Sequence, residues 1–568
     1  MDLRHLAFSL LLAISCGCCR DAAMVSTDAP LKTEYLSATR ILWTAGAPEG
    51  SGKLLKAFCG QVAVNEPEVC TLHSGDAILL DFGRELHGGL RITGAIRDSK
   101  ATPRVRIRFG ESVSEAMSDV ATTTATNEHS LRDFEASLPW LGSFETGNTG
   151  FRFVRIDILD DGGSPLPIVA VEAKSILRDL PYLGSFRCSD ERLNAIWQTA
   201  AYTVHLNMQD YVWDGIKRDR LVWIGDMHPE VMTINTVFGS QDVVRKSLDF
   251  ARDGTGPDEW MNGICSYSMW WCIIQRDLYL YTGNLAYLQE QHGYISALLR
   301  KIASCRDGSR ENFKEGRFID WPTSENPQSV HQCLQAMMSM TMKAGMDIAA
   351  ALKDKALYED CSACARELSS YEPSEPATKQ AAAFMTLAGI LPEAEGAETI
   401  AAGGPDGFAT FTGYYMLEAL AAAGRYDDAM QIISDYWGGM LDLGATSFWE
   451  DLKYSDLAKA GRIDDFVPEA VYDIHKDGGA YCYEGLRHSF CHGWASGPAP
   501  WMSRHVLGIE PLEPGFRKVR IEPHLGHLDW AEGTFPTPNG LIHVSARKTE
   551  DGKTITGISL PKGVRRVR

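Results

Sequence analysis

Residues 30–182 alternate between apolar and polar positions over short stretches, with glycine, aspartate and serine between them. Clear examples are Ala-Ile-Leu-Leu-Asp-Phe at 77–82, Arg-Val-Arg-Ile-Arg-Phe at 104–109 and Phe-Val-Arg-Ile-Asp-Ile at 153–158. A period of two places alternate side chains on one face of a strand, and short strands at this spacing are typical of a β-sandwich. The pattern therefore predicts an N-terminal β-sandwich over residues 30–182.

The alternation ends near Gly184, and a helical period of apolar positions continues from there to about residue 510. Short breaks, several of them with glycine, separate the helical stretches. The predicted helices include Glu191–Met208, Tyr267–Tyr281, Asn284–Ser304, Ser329–Leu352, Gly413–Ala423 and Tyr426–Tyr436. So many successive helices fit either a helical solenoid or an α/α toroid, and the absence of a fixed-length repeat disfavours a classical repeat array.

Strand character returns at 516–523 and 540–546, which predicts a small C-terminal β-domain. The predicted organisation is thus a multidomain α+β chain with a helical domain between two β-domains. Its predicted parts are a signal segment at 1–20, a β-sandwich at 30–182, the helical domain at 183–510 and a β-domain at 511–568.

The N-terminus has the pattern of an export signal. A charged start is followed by an apolar run from Leu6 to Ile14, which is too short to span a bilayer. The stretch Ala13-Ile14-Ser15-Cys16 resembles a bacterial lipobox, with Cys16 as the lipidated residue and Cys18 as a second candidate. We therefore expect an exported periplasmic protein or outer-membrane lipoprotein of a bacterium, attached to the membrane through a lipid on Cys16; cleavage by an ordinary signal peptidase is the alternative.

Charge and aromatic content narrow the class of partner. The formal net charge of −19 argues against nucleic acid, since binding phosphates requires basic patches. The acidity by itself indicates mainly solubility, with a carboxylate-lined pocket as the alternative. Eleven of the 14 tryptophans lie within residues 183–510, many of them beside aspartate or glutamate. Some must be core residues, but aromatic faces next to carboxylates are also what sugar pockets use.

The segment from Tyr211 to Glu230 is dense in acids, bases and tryptophan. It resembles the signature of the α-L-rhamnosidases of glycoside hydrolase family 78, roughly Asp-Cys-Pro-Gln-Arg-Asp-Glu-Arg-Leu-Gly-Trp-Thr-Gly-Asp, whose Glu is the general acid. Aligning Arg220-Leu221, Trp223 and Gly225-Asp226 without a gap places Asp219 at that Glu. The acid thus differs from the family's residue, and Asp226 matches the final Asp of the signature and is the alternative acid.

Further segments carry the same resemblance. The run Gly444-Ala-Thr-Ser-Phe-Trp-Glu450 is similar to the family's Gly-Ala-Thr-Thr-x-Trp-Glu, whose Glu is the catalytic base. Phe490-Cys-His492-Gly-Trp494 matches its active-site His region, and Phe318-Ile-Asp320-Trp321-Pro resembles its Asp-Trp pocket element. Less specific similarity extends over most of residues 75–545.

The resemblance implies a fold and a reaction. The fold would be an (α/α)6 toroid flanked by β-sandwich domains. The reaction would be exo-acting, inverting hydrolysis that releases terminal α-L-rhamnose, or a similar deoxysugar, from plant or algal oligosaccharides or polysaccharides. An inverting enzyme needs an acid and a base carboxylate about 6.5–9.5 Å apart. The implied site comprises Asp219 as acid and Glu450 as base, with Asp214, Arg218, Trp223, Asp226, Asp320, Trp321, Trp449, His492 and Trp494 binding substrate.

The sequence contains neither a glycine-rich phosphate loop nor a strong metal cluster, so we expect no cofactor and no metal. Cys361 and Cys364 have zinc-like spacing, but they lie in a helical pattern without a second pair, so we interpret them as structural.

Other functions remain open from the sequence. The site residues have structural alternatives: Asp219 as an arginine partner, Glu450 as a helix-start acid, His492 as a core hydrogen-bonding group, and Asp320 with Trp321 as a cap and a core aromatic. The rival functions are another (α/α)6 glycosidase, a polysaccharide lyase, and a non-catalytic glycan-binding surface lipoprotein. A lyase would favour a Tyr/His pair, and a binding protein would not need two opposed acids.

Overall fold

The computed structural model describes residues 29–62, 67–120 and 122–567. The predicted signal segment at 1–20 and its Cys16 lie outside these residues. Among the helices described, none combines the length and the apolar character that a membrane crossing would require.

Nine strands form the N-terminal β-domain around a continuous apolar core. The central strand β4 is 18 residues long, so the predicted stretch at 77–82 is only its beginning. Its pairing with β8 shifts register between Asp81 and Leu86, and this irregularity lets one strand serve two parts of the sheet. The strands are β1 Leu31–Ser37, β2 Arg40–Ala45, β3 Cys70–Leu72, β4 Ala77–Gly94, β5 Arg104–Gly110, β6 Asp133–Ser137, β7 Gly142–Glu145, β8 Thr149–Asp160 and β9 Leu166–Arg178.

A short helix, α1 (Val113–Met117), follows β5 and leaves the β-domain towards the helical domain. Ser112 caps it by accepting a hydrogen bond from the Glu115 amide at 3.1 Å. The first residue of α1 also donates its amide to the carbonyl of Ile463. This corner therefore brings a β-domain segment into contact with a distant part of the chain.

The helical region has the helices that its periodicity predicts, with most bounds within two residues and two larger differences. The stretch predicted as Asn284–Ser304 is two helices, and the helix that begins at Tyr426 continues to Asp442. The helices are α2 Glu191–Asn207, α3 Met227–Val237, α4 Asp242–Asp253, α5 Cys265–Thr282, α6 Leu285–Glu290, α7 His292–Ser304, α8 Trp321–Ser324, α9 Pro327–Leu352, α10 Lys355–Leu368, α11 Lys379–Ala388, α12 Glu393–Ala401, α13 Gly413–Ala422, α14 Tyr426–Asp442 and α15 Pro498–Trp501.

These helices close into a ring. Contacts run from α2 through α3, α5, α9, α11 and α13 to α14, and α14 packs back against α2. Ring closure distinguishes a toroid from an open solenoid, so the predicted (α/α)6 toroid with flanking β-domains is confirmed. Cys361 and Cys364 lie buried on α10 as free thiols.

The C-terminal β-structure consists of one four-stranded and one three-stranded sheet. Its four-stranded sheet includes β10, which precedes the toroid in sequence and pairs with β17. Along the sequence, the toroid therefore lies between two strands, β10 and β17, that pair in the same sheet. The remaining strands are β10 Ser185–Cys188, β11 Arg306–Asp307, β12 Arg310–Glu311, β13 Ala460–Gly461, β14 Tyr472–Asp473, β15 Ile509–Pro511, β16 Lys518–Ile521, β17 Trp530–Thr537, β18 Gly540–Lys548, β19 Thr554–Ser559 and β20 Arg565–Val567.

A buried arginine, held by an ion pair within the N-terminal β-domain, links that domain to the toroid. Arg152 donates two hydrogen bonds to the carboxylate of Asp81, at 2.8 and 3.0 Å. A third nitrogen of the same guanidinium donates to the carbonyl of Gly444 at 3.0 Å. The loop that leads to Glu450 therefore begins at a contact with the β-domain.

Candidate active site

The loop between α2 and α3, residues 208–226, carries most of the charged groups of the site. It is joined to a second loop by the Gly493 amide, which donates to the carbonyl of Asp214 at 2.9 Å. Gly225 lies directly under the ring of Tyr267, because a Cβ atom there would be 2.1 Å from that ring. Only glycine permits this close approach, which brings the ring against the loop.

Two consecutive residues of this loop, Asp219 and Arg220, adopt the left-handed conformation with φ of 55°. For residues with a side chain this conformation is strained, and such strain persists where surrounding contacts impose it. Here Arg220 is held by a hydrogen bond to the carbonyl of Asn148 at 2.9 Å. Strained non-glycine residues concentrate at functional sites, and this pair positions the carboxylate of Asp219.

A cavity of about 390 Å³ opens beside the loop. Nine of the eleven residues predicted for the site line it, although they come from four separate stretches of the chain. They are Asp214, Arg218, Asp219, Trp223, Asp226, Trp321, Glu450, His492 and Trp494.

The guanidinium of Arg218 binds both predicted catalytic carboxylates. One terminal nitrogen donates to both oxygens of Glu450 at 2.6 Å, and the other lies 3.2 Å from Asp219. Its Nε donates to the carbonyl of Arg487 at 3.1 Å. Asp219 also faces His129 of the β-domain at 3.2 Å. The two carboxylates thus share one cation, which keeps them in the same cavity despite their distance in sequence.

His492 lies among three carboxyl groups. Its Nε2 is 3.6 Å from Glu450, 3.9 Å from Asp226 and 4.0 Å from Asp214. Burial, together with the nearby Arg218, holds the pKa of this imidazole well below its usual range, so the ring is neutral. A neutral imidazole donates from one nitrogen and accepts at the other, which suits hydroxyl groups of a bound molecule.

Three acids in or behind the cavity have strongly raised pKa values. Burial is the main cause for Asp214, Asp226 and Glu230, and neighbouring carboxylates add to it. Asp214 accepts a hydrogen bond from the Leu221 amide at 2.9 Å, whereas neither carboxyl oxygen of Glu230 has a partner among the described residues. Such groups hold their protons near neutral pH and can donate hydrogen bonds.

Burial also raises the pKa of Glu450 above its ordinary value, while the Arg218 guanidinium and the Ser489 amide oppose the rise. A carboxylate whose pKa moves towards the working pH suits a general base. The carbonyl of Glu450 accepts hydrogen bonds from the Trp494 indole at 2.9 Å and from the Thr410 hydroxyl at 2.6 Å. These two contacts fix the backbone from which the carboxylate projects.

Aromatic rings complete the walls. Trp321 is 39% exposed and stacks on Tyr481 with ring centroids 6.1 Å apart. The ring of Trp223 packs edge-on to Tyr267, and the Tyr267 hydroxyl donates to Asp226 at 3.4 Å. The cavity therefore combines flat apolar faces with carboxyl groups, the combination that a sugar ring and its hydroxyls require.

Two predicted substrate-binding residues do not line the cavity. Asp320 caps helix α8 by accepting the Thr323 amide at 2.9 Å, and its other oxygen accepts the Thr412 hydroxyl at 2.9 Å. Trp449 is fully buried and stacks on Phe490 with centroids 4.3 Å apart. The structure thus places Asp320 in a capping role and Trp449 in the core, because their hydrogen bonds and packing turn them away from the cavity.

Several lining residues were not among those predicted. Phe318 lies in the motif that contains Trp321, so this motif is a sequence signal that could have identified Phe318 as a lining residue. Tyr267 lies on α5 and has no motif of its own, and the loop around residue 482 has no recognisable pattern. The additional lining residues are Ile264, Tyr267, Gly316, Arg317, Phe318, Cys482, Tyr483 and Arg487.

Two family models match separate parts of the chain. The model of the bacterial alpha-L-rhamnosidase 6 hairpin glycosidase domain matches residues 181–373, and that of the bacterial alpha-L-rhamnosidase C-terminal domain matches residues 508–567. A curated alpha-L-rhamnosidase of Alteromonas sp. (strain LOR) is 24% identical over 538 residues, covering 84% of this chain and 54% of the relative. The chain spans about half the length of the curated relatives it matches.

Solved structures show the same fold. The family 78 rhamnosidase of Bacillus sp. GL1 superposes with a TM-score of 0.73 at 21% identity, covering 91% of this chain and 56% of that one. The rhamnosidase from Klebsiella oxytoca with rhamnose bound superposes with a TM-score of 0.65 at 18% identity, covering 84% of this chain and 96% of that one. At these identities the likeness establishes the architecture alone.

The buried acid Glu230 makes the stability of the fold depend on pH. Because the folded pKa is raised, the folded state keeps a proton that the unfolded state releases above a pKa of about 4.3. The stability that this residue contributes therefore falls as pH rises from that value towards the folded pKa. Glutamine does not titrate, so Glu230→Gln should gain stability over the wild type between about pH 5 and pH 7, by up to about 1.4 kcal/mol per unit.

Denaturant unfolding of both proteins at the two pH values measures this difference. Glu290→Gln, an exposed substitution on α6, controls for the change in net charge. A difference between Glu230→Gln and wild type that stays constant with pH would contradict a protonated Glu230.

Proposed function

We propose, from the premise that the chain carries the six-hairpin and C-terminal domains of the bacterial α-L-rhamnosidase family, that it hydrolyses terminal α-L-rhamnosides. The observation that carries the proposal is the pair Asp219 and Glu450 bound to one Arg218 in a single cavity. The Alteromonas relative supports the choice of sugar through its name, and so does the Klebsiella structure with rhamnose bound.

The size of the cavity supports exo action. A volume of about 390 Å³ lies near the lower end of the roughly 300–1,000 Å³ typical of ligand pockets, which suits one terminal sugar better than a long chain. The half-exposed Trp321 offers an aromatic face at the rim, and the buried Asp214, Asp226 and His492 offer donors and acceptors for hydroxyls. We propose a rhamnose-containing oligosaccharide or polysaccharide of plant or algal origin as the substrate.

The proposed reaction is a single displacement with inversion. The carboxylate of Glu450 takes a proton from a water molecule, whose oxygen attacks the anomeric carbon. The bond to the leaving oxygen breaks as that oxygen takes the proton of Asp219. Both carboxyl groups face the same cavity, as an acid and a base that act on one glycosidic bond must, and inverting enzymes use a separation of about 6.5–9.5 Å between them.

The assignment of the acid rests on access to the leaving group. In an exo enzyme the leaving group points towards solvent, so the acid should lie on the open side of the pocket. The side chain of Asp219 is 19% exposed, whereas that of Asp226 is 5% exposed. Asp226 is the second candidate because burial and the neighbouring carboxylates raise its pKa, which keeps its proton available.

The first test is release of L-rhamnose from rhamnose-containing oligosaccharides, followed by chromatography, with the anomer formed first identified by NMR. Glu450→Gln should lower turnover by at least about 10²–10⁴-fold, because the water then lacks its base. The matched control is Glu418→Gln, which should retain turnover, because Glu418 is a mostly buried glutamate, with its side chain 11% exposed, outside the cavity lining. Binding of the sugar without release by the wild type would favour a glycan-binding protein, and release by elimination would favour a lyase.

The second test separates the two candidate acids. Asp219→Asn should slow hydrolysis of natural glycosides by about 10²–10⁴-fold, and aryl glycosides with good leaving groups much less, because good leaving groups need little protonation. It should also remove the basic limb of the pH profile. Asp226→Asn should slow both substrate types alike if Asp226 only binds hydroxyls. The reverse pattern would assign the acid to Asp226.

We also propose export and lipidation, supported by the sequence pattern that ends at Cys16. A radioactive fatty acid supplied to a bacterial host should label the wild type, and Cys16→Ala should abolish the label because the acceptor thiol is gone. Cys18→Ala should keep it and serves as the control. Undiminished labelling of Cys16→Ala would contradict the assignment of Cys16.

A further inference from the structure

A buried charged cluster connects the N-terminal β-domain with the loop that contacts Glu450. We call it the interdomain cluster; its members are Glu111, Ser112, Glu115, Lys217 and His475, all buried. Residues 111–115 belong to the corner between β5 and α1, and the other two belong to the toroid. Buried charges are costly unless they are paired and hydrogen-bonded, so such a cluster requires an explanation.

Lys217 is the cation of the cluster. Its Nζ lies 3.0 Å from the carboxylate of Glu111 and 3.2 Å from that of Glu115. It also donates to the carbonyls of Leu486, at 3.2 Å, and His488. An ammonium has three protons to donate, and this one is surrounded by four oxygens. Lys217 thereby fastens residues 486–490, the base-contacting loop, to two carboxylates of the β-domain.

The β-domain also binds this loop directly. Glu111 accepts a hydrogen bond from the Phe490 amide at 2.6 Å. His475 lies 3.0 Å from the carbonyl of His488, and since a carbonyl only accepts, the Nε2 of His475 carries the proton. Its Nδ1 must then accept a hydrogen bond from the Ser112 hydroxyl at 2.7 Å. The loop is therefore held on both sides of residue 489.

Residue 489 is the point where the loop meets the proposed base. The Ser489 amide donates to the carboxylate of Glu450 at 3.2 Å, and the Glu450 amide donates to the Ser489 carbonyl at 3.0 Å. The other donor to this carboxylate is Arg218, which follows Lys217 directly and also binds the carbonyl of Arg487. Both groups that orient the base thus adjoin residues that the cluster anchors.

The cluster is complete without a metal ion. Glu111, Glu115 and His475 place ligand atoms within 4.8 Å of one another, as metal ligands would. However, the ammonium of Lys217 already lies between the two carboxylates, and the Nδ1 of His475 accepts the hydroxyl of Ser112. Lys217 thus supplies the positive charge that pairs with the two buried carboxylates.

We propose that Glu111 and Lys217 are positioning residues, through which the N-terminal β-domain sets the carboxylate of Glu450 for catalysis. The inference rests on the proposed function for its kinetic consequences, while its structural part concerns only the loop. The β-domain is then part of the active site, although none of the cluster residues from its 111–115 corner lines the cavity.

Glu111→Gln in the full chain tests this. Glutamine keeps an oxygen for the Phe490 amide but removes the charge that holds Lys217. The loop should loosen, and kcat should fall about 10–100-fold, the scale of a small misplacement of a catalytic group. KM should change much less. Because the Ser489 amide lowers the pKa of Glu450, weakening it should move the acidic limb of the pH profile to higher pH.

Glu172→Gln is the matched control, since Glu172 is a buried glutamate of the same β-domain that pairs with Arg91 at 2.6 Å. It should leave kcat and the pH profile unchanged. Melting temperatures of both variants separate misplacement from unfolding. Full activity of Glu111→Gln, or equal losses in both variants that follow their melting temperatures, would overturn the proposal.

Hydrogen exchange gives a readout that does not need turnover. Peptides covering residues 486–490 and Glu450 should exchange faster in Glu111→Gln than in the wild type, and Glu172→Gln should not change them. Faster exchange in Glu111→Gln, combined with a wild type that lacks hydrolase activity, would remove the proposed function but keep the positioning contact. Unchanged exchange with an active wild type would remove the positioning role alone.

Discussion

The guanidinium of Arg218 is the interaction on which the cavity depends. It binds both oxygens of Glu450, contacts Asp219 and donates to the carbonyl of Arg487, so it joins three segments that are distant in sequence. Two carboxylates facing one small cavity would repel each other without a cation between them. Arginine suits this position because its planar guanidinium donates hydrogen bonds to several acceptors at once and stays charged when buried.

The other acids of the site are accommodated by a different physical principle. Asp214, Asp226 and Glu230 are buried and make no direct ion pair with that cation among the described residues, and burial raises the pKa of each one well above its usual range. The site therefore contains carboxyl groups in two electrostatic environments. Arg218 contacts Glu450 and opposes the rise in its pKa that burial causes, whereas the raised pKa values of the other three acids favour the protonated form, which can donate hydrogen bonds to hydroxyl groups.

The domains cooperate in building this site. The toroid supplies the cavity walls, while the β-domain holds the base-contacting loop through Glu111 and Lys217 and the loop before Glu450 through Arg152. These contacts provide the partners that the buried charged residues of the β-domain need at this boundary. The N-terminal β-domain is therefore part of the support of this site and not a separate accessory domain.

The sequence predicts the helices and the carboxylates near the site because apolar periodicity and short motifs are local features of the chain. The apolar period predicted α2 from Glu191, and the structure begins that helix at the same residue. The motif resemblance also pointed to Asp219 and Glu450, which share the cavity. Adjacency in a motif does not say where a side chain points, so Trp449 lies in the core although Glu450 beside it lines the cavity.

The sequence by itself determined the element types, the order of β, α and β regions and the main carboxylates of the site, because these follow from local periodicity and short motifs. Only the tertiary structure decided that α14 closes the ring on α2, that β10 joins the C-terminal sheet, and that Glu111 meets Lys217. These contacts join residues far apart in the chain. Their partners are selected by the packing of the whole molecule and the need to neutralise buried charge, which leave no repeating pattern along the sequence.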